Sequence, residues 1–291
     1  MRLIRFGQPG QERPGLWQAD GIVDLRRHYP DIPDIHEDFF NQGWPSRLAQ
    51  AKLEGDNLQV RLGPPLARPA KIICLGKNYV EHAREGGFDP PAAPLLFCKT
   101  PNALNGPFDP VLMPVSSGQI DWEVELAVII GRRAKRLTPT DALEFVAGFT
   151  VMNDVSARRA QFAVSQWYRG KSFDTFAPMG PCLVTPDEIG DLNNLRLTAR
   201  VNGEVMQDGN TRDMIFDIPT LLADISQDIT LEPGDVISTG TPAGVGIFRD
   251  PPVVLAAGDE VTCEIEGIGA ISNLFVLCAG QAAQRPSKAQ I

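Results

Sequence analysis

Asp121-Trp122-Glu123-Val124-Glu125-Leu126-Ala127-Val128-Ile129-Ile130, closed by Gly131, is the stretch from which the rest of this chain can be read. It is rich in β-branched residues and ends at a glycine, which predicts a β-strand. Side chains two apart on a strand share a face. Glu123 and Glu125 therefore point the same way, and Ala127 and Ile129 continue that face as apolar groups. Val124, Leu126, Val128 and Ile130 make the other face apolar too, so the strand is expected to be buried on both sides. Two like charges at the end of a buried strand are costly unless something neutralises them. A hard divalent cation does so, because Mg²⁺ and Ca²⁺ take oxygen ligands. The alternative is a solvated strand end paired with some of the chain's 27 lysines and arginines.

Asp154 adds weight to the metal. It follows a second strand-like run, Phe149-Thr150-Val151-Met152-Asn153, and starts a polar turn into Ser156-Ala157-Arg158-Arg159. An acid at the end of a neighbouring strand supplies a third oxygen ligand. The remaining positions would go to water or substrate, as is usual for catalytic Mg²⁺.

Composition narrows the function classes. With 291 residues, 43% hydrophobic and 22% charged, the chain reads as an ordinary globular protein of one large or two unequal domains. No run of about 18 apolar residues predicts a membrane span. The first residues, Met1-Arg2-Leu3-Ile4-Arg5-Phe6-Gly7, carry no signal-peptide pattern. A net charge of −9 argues against nucleic acid as a partner. Five scattered cysteines without a Cys-x-x-Cys pair read as reduced thiols, which predicts a cytoplasmic protein. Three histidines and unpaired cysteines argue against zinc.

Along the chain, residues 1–66 are expected to form a small N-terminal β-rich module. His28 and His36 fall in its Pro- and Asp-rich loop. Gly63-Pro64-Pro65-Leu66-Ala67-Arg68-Pro69 reads as a linker. A main domain over 67–280 follows, then a flexible tail over 281–291. Asn202-Gly203 between two alternating runs predicts a hairpin. Residues 217–227 predict a helix with Asp217 as N-cap and Pro219 in the first turn. Short strands with Gly and Pro turns dominate, so the expected class is α+β, mostly β, and not a doubly wound sheet.

Three further segments carry chemistry. His82 and Glu85 in Asn78-Tyr79-Val80-Glu81-His82-Ala83-Arg84-Glu85-Gly86-Gly87 are neighbours on a helical turn. A carboxylate there fixes the imidazole tautomer and raises its basicity, and the two glycines would let the segment act as a lid. A surface salt bridge is the alternative. Lys171, alone in the small and apolar Gly170-Lys171-Ser172-Phe173-Asp174-Thr175-Phe176-Ala177-Pro178-Met179-Gly180-Pro181, could hold an oxyanion or close a surface loop. Ser238-Thr239-Gly240-Thr241-Pro242-Ala243-Gly244-Val245-Gly246 is neither a P-loop nor a dinucleotide fingerprint, but its amides and hydroxyls could bind a carboxylate or enolate oxygen.

Taken in chain order, from Asn78 through Asp121, Asn153 and Gly170 to Ser238, the five segments resemble the motifs of the fumarylacetoacetate hydrolase superfamily, over about 200 residues from Lys71 to Val276. The resemblance implies a mixed β-sheet roll of the fumarylacetoacetase C-terminal type and a homodimer. It implies Mg²⁺ or Mn²⁺ on Glu123, Glu125 and Asp154, and a catalytic His82–Glu85 dyad with Lys171. It places substrate contacts at Arg158, Gln161 and Thr241. The short N-terminal module and the length look like the bacterial acylpyruvate-hydrolase and 2-hydroxyhepta-2,4-diene-1,7-dioate isomerase branch. Arg159 departs from the acidic residue that often follows the arginine of this motif.

The expected activity is metal-dependent hydrolysis of a C–C bond in an acylpyruvate or related β-diketo acid, through a stabilised enolate. The alternative is an isomerase, hydratase or decarboxylase of 2-oxo- or 2-hydroxydienoates in aromatic or sugar-acid breakdown. A non-catalytic binding protein of the same fold comes third. The expected partner is a small keto acid, with no nucleic acid and no membrane.

Overall fold

The computed structural model describes residues 1–56 and 58–278. The expected tail, 281–291, lies outside the described residues. The described chain is α+β and mostly β, as predicted. Residues 1–66 contain a meander, β1 (Arg2–Phe6), β2 (Arg13–Gln18) and β3 (Gly21–Asp24), and three short helices, α1 (Leu25–His28), α2 (Glu37–Asn41) and α3 (Trp44–Leu48). His28 ends α1, and His36 caps α2 by accepting from the Asp38 N–H at Nδ1. The expected loop is therefore partly helical.

Further on come β4 (Ile72–Gly76), β5 (Leu95–Lys99), β6 (Val124–Ile130), β7 (Val146–Asn153), β8 (Ala177–Val184), β9 (Arg196–Val201), β10 (Glu204–Asn210), β11 (Val236–Ser238), β12 (Glu260–Ile265) and β13 (Gly269–Leu277). The helices among them are α4 (Val80–Glu85), α5 (Arg158–Gln161), α6 (Tyr168–Lys171) and α7 (Ile218–Asp228). The predicted hairpin is β9–β10, and Asp217 caps α7 by accepting from the Thr220 N–H.

One large mixed sheet runs β3-β2-β1-β8-β7-β6-β11-β4-β5. Its neighbours are antiparallel except β11 and β4, which run parallel. A second sheet, β10-β9-β12-β13 extended by Val111–Met113, packs its β13 beside β8 and closes the roll. The N-terminal meander joins the main sheet directly, with Leu3 opposite Leu183. Within the N-terminal module, buried Arg5 ties β1 to the following loop by pairing with Asp34 at 2.7 Å.

β6 lies in mid-sheet, and every residue of it is buried, so its two apolar faces are used as the sequence predicted. β6 is shorter than the predicted strand. The chain pairs briefly at Ile120–Asp121, breaks at Trp122 and Glu123, and resumes at Val124. The break arises because the Glu123 N–H turns to the Asn153 side chain (3.0 Å) while the Glu123 carbonyl accepts from Asp154 N. Leu126 is fully buried at the centre of β6. Leu126→Ala should lower unfolding stability by about 2–5 kcal/mol, as buried leucine truncations do. Denaturant unfolding measures it, and a loss under about 1 kcal/mol would contradict this packing.

Candidate metal centre and active site

Glu123 directly precedes β6, Glu125 is its second residue, and Asp154 directly follows β7. Register sets them together, since β6 and β7 pair with Val124 opposite Asn153. One oxygen from each carboxylate lies within 4.8 Å of the others, and all three residues are buried. The same-face reading of the two glutamates holds despite the break in the strand.

The basic residues around them answer most of the charge. Lys171 Nζ donates to Glu123 at 2.6 Å and to Asp154 at 2.7 Å. Arg158 Nη2 pairs with Glu123 at 2.7 Å and with Asp121 at 2.8 Å. Lys99 Nζ donates to Asp154 at 2.5 Å and to the Val155 carbonyl at 3.1 Å. The paired alternative for the glutamates is thus also present, in buried rather than solvated form. Glu125 has no cationic partner among the described residues. Its carboxylate accepts from Ser238 Oγ at 2.5 Å and Gly240 N–H at 3.1 Å.

These contacts push the carboxyl groups apart in acidity. Burial raises the Glu123 carboxyl, but the charges of Lys171 and then Arg158 outweigh it and hold the group well below the usual range. Burial, Asp154 and Glu123 push Glu125 well above that range. Burial lowers the Lys171 ammonium, yet Asp154 and Glu123 raise it overall. A hard divalent cation fits this donor set: three buried carboxylate oxygens converge, and one of those groups is destabilised as an anion for want of positive charge.

His82 and Glu85 meet on α4, with Nδ1 and Oε1 2.8 Å apart. Both are largely buried, so the surface-salt-bridge alternative does not hold. The other Glu85 oxygen accepts from the Gly244 N–H at 2.8 Å. Gly244 has φ +107°, and a Cβ there would lie 2.2 Å from the Met206 carbonyl, so only glycine suits the position. The glycine-rich loop after β11 was expected to offer its amides to a ligand. Several serve the protein's own carboxylates instead: Gly240 bonds Glu125, Gly244 bonds Glu85, and Gly246 bonds Asp121 at 2.7 Å. Thr241 donates to the Val124 carbonyl at 2.9 Å and accepts from Gln207 at 2.8 Å.

A narrow cavity of about 40 Å³ opens onto this cluster, with Glu123, Glu125, His82, Arg158, Lys171 and Thr241 in its wall. Gln161 lines it too and accepts from Arg158 Nη1 at 2.9 Å. Phe88, Phe97, Trp167 and Phe248 form the apolar side. Arg159, the departure from the motif, is exposed, while Arg158 is buried beside the carboxylates.

Sequence reading missed Lys99 and the role of Asp121. Lys99 ends Leu95-Leu96-Phe97-Cys98-Lys99, and a lone lysine closing an apolar strand was the available signal. Asp121 accepts from Trp122, Gly246 and Ile247 amides and from Arg158, partners that no local pattern discloses.

Residues 71–276 match the family Fumarylacetoacetate (FAA) hydrolase C-terminal. The chain belongs to the fumarylacetoacetate hydrolase family. Oxaloacetate tautomerase FAHD2A, mitochondrial, of Bos taurus is 45% identical over 288 residues, covering 95% of this chain and 92% of that protein. The human protein of that name is 44% identical over the same length and shares. The solved fumarylacetoacetate hydrolase of Exiguobacterium antarcticum superposes with a TM-score of 0.83 at 39% identity, over 96% of this chain and 100% of that one. The 2-hydroxyhepta-2,4-diene-1,7-dioate isomerase of Mycobacterium marinum gives 0.75 at 34%, over 97% and 100%.

These relatives correct three expectations. The chain is not placed in the bacterial acylpyruvate-hydrolase and isomerase branch, because the animal tautomerases match it nearly end to end. Length and a small N-terminal module do not separate the branches, since those relatives share both. Cytoplasmic localisation and a role in aromatic breakdown also fall, because the same relatives are mitochondrial oxaloacetate tautomerases. Free cysteines do not distinguish one reducing compartment from another. The broader expectation stands: an enzyme of this fold with a candidate metal site, acting on a keto acid. No helix among the described residues is long and apolar enough to cross a membrane.

Two measurements test the centre. Glu123→Ala and Asp154→Ala should each weaken Mg²⁺ or Mn²⁺ binding in calorimetry by at least the roughly 10–100-fold typical of outer-shell partners. Unchanged affinity would remove both residues from the ligand set. Lys99→Met breaks a buried pair, a change that costs about 3–5 kcal/mol. Lys171 stays on Asp154, so the loss should fall near the lower end, and a neutral effect on unfolding would show that Lys99 does not hold the cluster.

Proposed function

We propose that the chain is a divalent-metal-dependent keto–enol tautomerase of a short 2-oxo dicarboxylic acid, with oxaloacetate as the leading substrate. The observation that carries this reading is the state of the dyad. Both Glu85 oxygens are engaged, one at His82 Nδ1 and one at Gly244 N–H, so Glu85 orients and His82 moves protons. With Nδ1–H donating to Glu85, Nε2 is the basic nitrogen. The relatives' activity at 45% identity supports the same reading. Hydrolysis of an acylpyruvate, the first expectation, has less support, and the isomerase alternative has more.

Ketonisation removes one proton from the enol oxygen and adds one to the neighbouring carbon. No bond between heavy atoms breaks and no water is consumed, so a single proton carrier suffices. His82 Nε2 accepts the proton from oxygen and returns one to carbon. A divalent cation on Glu123, Glu125 and Asp154 supplies positive charge against the charge developing on the substrate oxygen. Lys171 has a third N–H beyond its two carboxylate bonds and lines the cavity, where its charge would add to that stabilisation. Arg158, Gln161 and Thr241 bound the substrate from the cavity wall, and the aromatic side excludes water.

The test follows the ultraviolet decay of the oxaloacetate enol in the Mg²⁺-loaded protein. Wild type should speed it over buffer. His82→Gln should lower that rate by about 10²–10⁴-fold, the usual worth of a positioned acid–base group, with Mg²⁺ affinity retained. Glu85→Gln should lose less, because the imidazole stays in place. Enol decay at the buffer rate together with cleavage of an acylpyruvate would overturn the proposal in favour of the hydrolase.

A further inference from the structure

Four basic side chains line the cavity: Lys77, His82, Arg158 and Lys171. Three already face a protein carboxylate. His82 meets Glu85, Arg158 meets Asp121 and Glu123, and Lys171 meets Glu123 and Asp154. Lys77 has no carboxylate partner among the described residues. Its Nζ lies instead over the face of Phe88, 3.5 Å from the ring centroid. An aromatic face attracts a cation but leaves its formal charge unanswered. Lys77 is therefore the cavity's unclaimed positive charge.

The backbone holds this lysine in place at a cost. Lys77 sits at φ 58°, the left-handed region where glycine or asparagine is the less strained choice. The next residue, Asn78, is fixed at every polar group of its side chain. Its Nδ2 donates to the carbonyls of Thr239 (2.8 Å) and Phe216 (3.1 Å), and its Oδ1 accepts from Phe216 N–H at 2.9 Å. Its backbone carbonyl accepts from Ile215 N–H at 2.7 Å. On the other side, a Cβ at Gly76 would lie 2.6 Å from the Trp167 ring, which packs directly against the strand end. The turn that presents Lys77 is thus rigid, while Phe88, just beyond α4, holds its ammonium at the cavity wall.

We propose that Lys77 binds the distal carboxylate of a dicarboxylic 2-oxo acid, and that it selects such diacids over monoacids of equal length. The assignment rests on the reading that this cavity takes a 2-oxo acid. It adds the residue that recognises the second charge. The metal-ligand end can receive the 2-oxo carboxylate of any such acid. Only a group with an unanswered charge gains by meeting a second carboxylate.

Malate and 2-hydroxybutyrate make the test, because they differ only in carboxylate against methyl at the far end and neither is consumed by tautomerisation. Calorimetry on the Mg²⁺-loaded full chain should find malate bound at least about tenfold more tightly, or 1.4 kcal/mol. Lys77→Met should abolish that preference while leaving 2-hydroxybutyrate and oxalate affinity unchanged. Lys77→Arg should keep most of it. A lysine that only braces Phe88 would, when replaced, shift melting temperature or weaken all three ligands alike, which overturns the proposal. So would a malate preference surviving in Lys77→Met, or no malate preference in wild type. The enol-decay assay separates the two readings. Wild type that fails to speed enol decay, yet loses its malate preference on Lys77→Met, leaves the Lys77 assignment standing and removes the tautomerase. Fast enol decay with an unaltered preference does the reverse.

Discussion

Seven ionisable side chains share one buried volume: Asp121, Glu123, Glu125 and Asp154 with Lys99, Arg158 and Lys171. Each ion taken from water carries a desolvation penalty of several kcal/mol, so none is tolerable alone. The rest of the structure is arranged to meet this constraint. β5 brings Lys99, α6 brings Lys171, α5 brings Arg158, and the glycine-rich loop brings amides to Glu125, Glu85 and Asp121. Four carboxyl groups face three cations, and the one without a cationic partner is Glu125, which has only neutral donors and is disfavoured as an anion. The protein thus holds a deficit of positive charge at one defined point. A divalent cation is the species that corrects it without a new side chain.

The chemistry available at such a point is modest and specific. One imidazole with its tautomer held, beside a largely apolar outer wall, suits proton movement next to a carbonyl. In the dyad Glu85 is bonded at both oxygens, which leaves His82 as the proton carrier, whether the proton comes from a substrate or from water. Relatives of this fold carry names that range from hydrolase to isomerase to tautomerase. That range follows if the enolate-stabilising half is common and the outcome depends on what else reaches the substrate.

Legibility in the sequence tracked the distance over which an interaction acts. Glu123 and Glu125 were readable because strand alternation is a two-residue rule. His82 and Glu85 were readable because a helical turn is a three-residue rule. Asp217 as a cap and Asn202-Gly203 as a turn were local for the same reason. Lys99 and Asp121 escaped because their partners lie 55 and 125 positions away, at Asp154 and Gly246. The glycine-rich loop was recognised as an amide source, yet its acceptors are the protein's own carboxylates, which no spacing within the loop encodes. The break at Trp122 and Glu123 was hidden likewise, since it depends on the Asn153 side chain from the neighbouring strand. The N-terminal meander looked self-contained in sequence because its pairing with β8 spans about 180 residues, as Leu3 opposite Leu183 illustrates.

The end of β11 and the loop after it close the site from the far end of the chain: Ser238 reaches Glu125 across 113 positions, and Gly244 reaches Glu85 across 159. Contacts of such separation form late in folding, after the loop-closure entropy of the intervening chain has been overcome. The β6–β7 pairing can form earlier, because its partners are close in sequence. A chain caught between those stages carries clustered carboxylates but neither the amide cradle nor the anchored dyad. Ligands that require the finished site meet it only after the last strands have docked, so they slow unfolding more than they speed folding. The same separation makes activity an all-or-none reporter of complete folding, since no fragment ending before residue 244 contains both sides of the site.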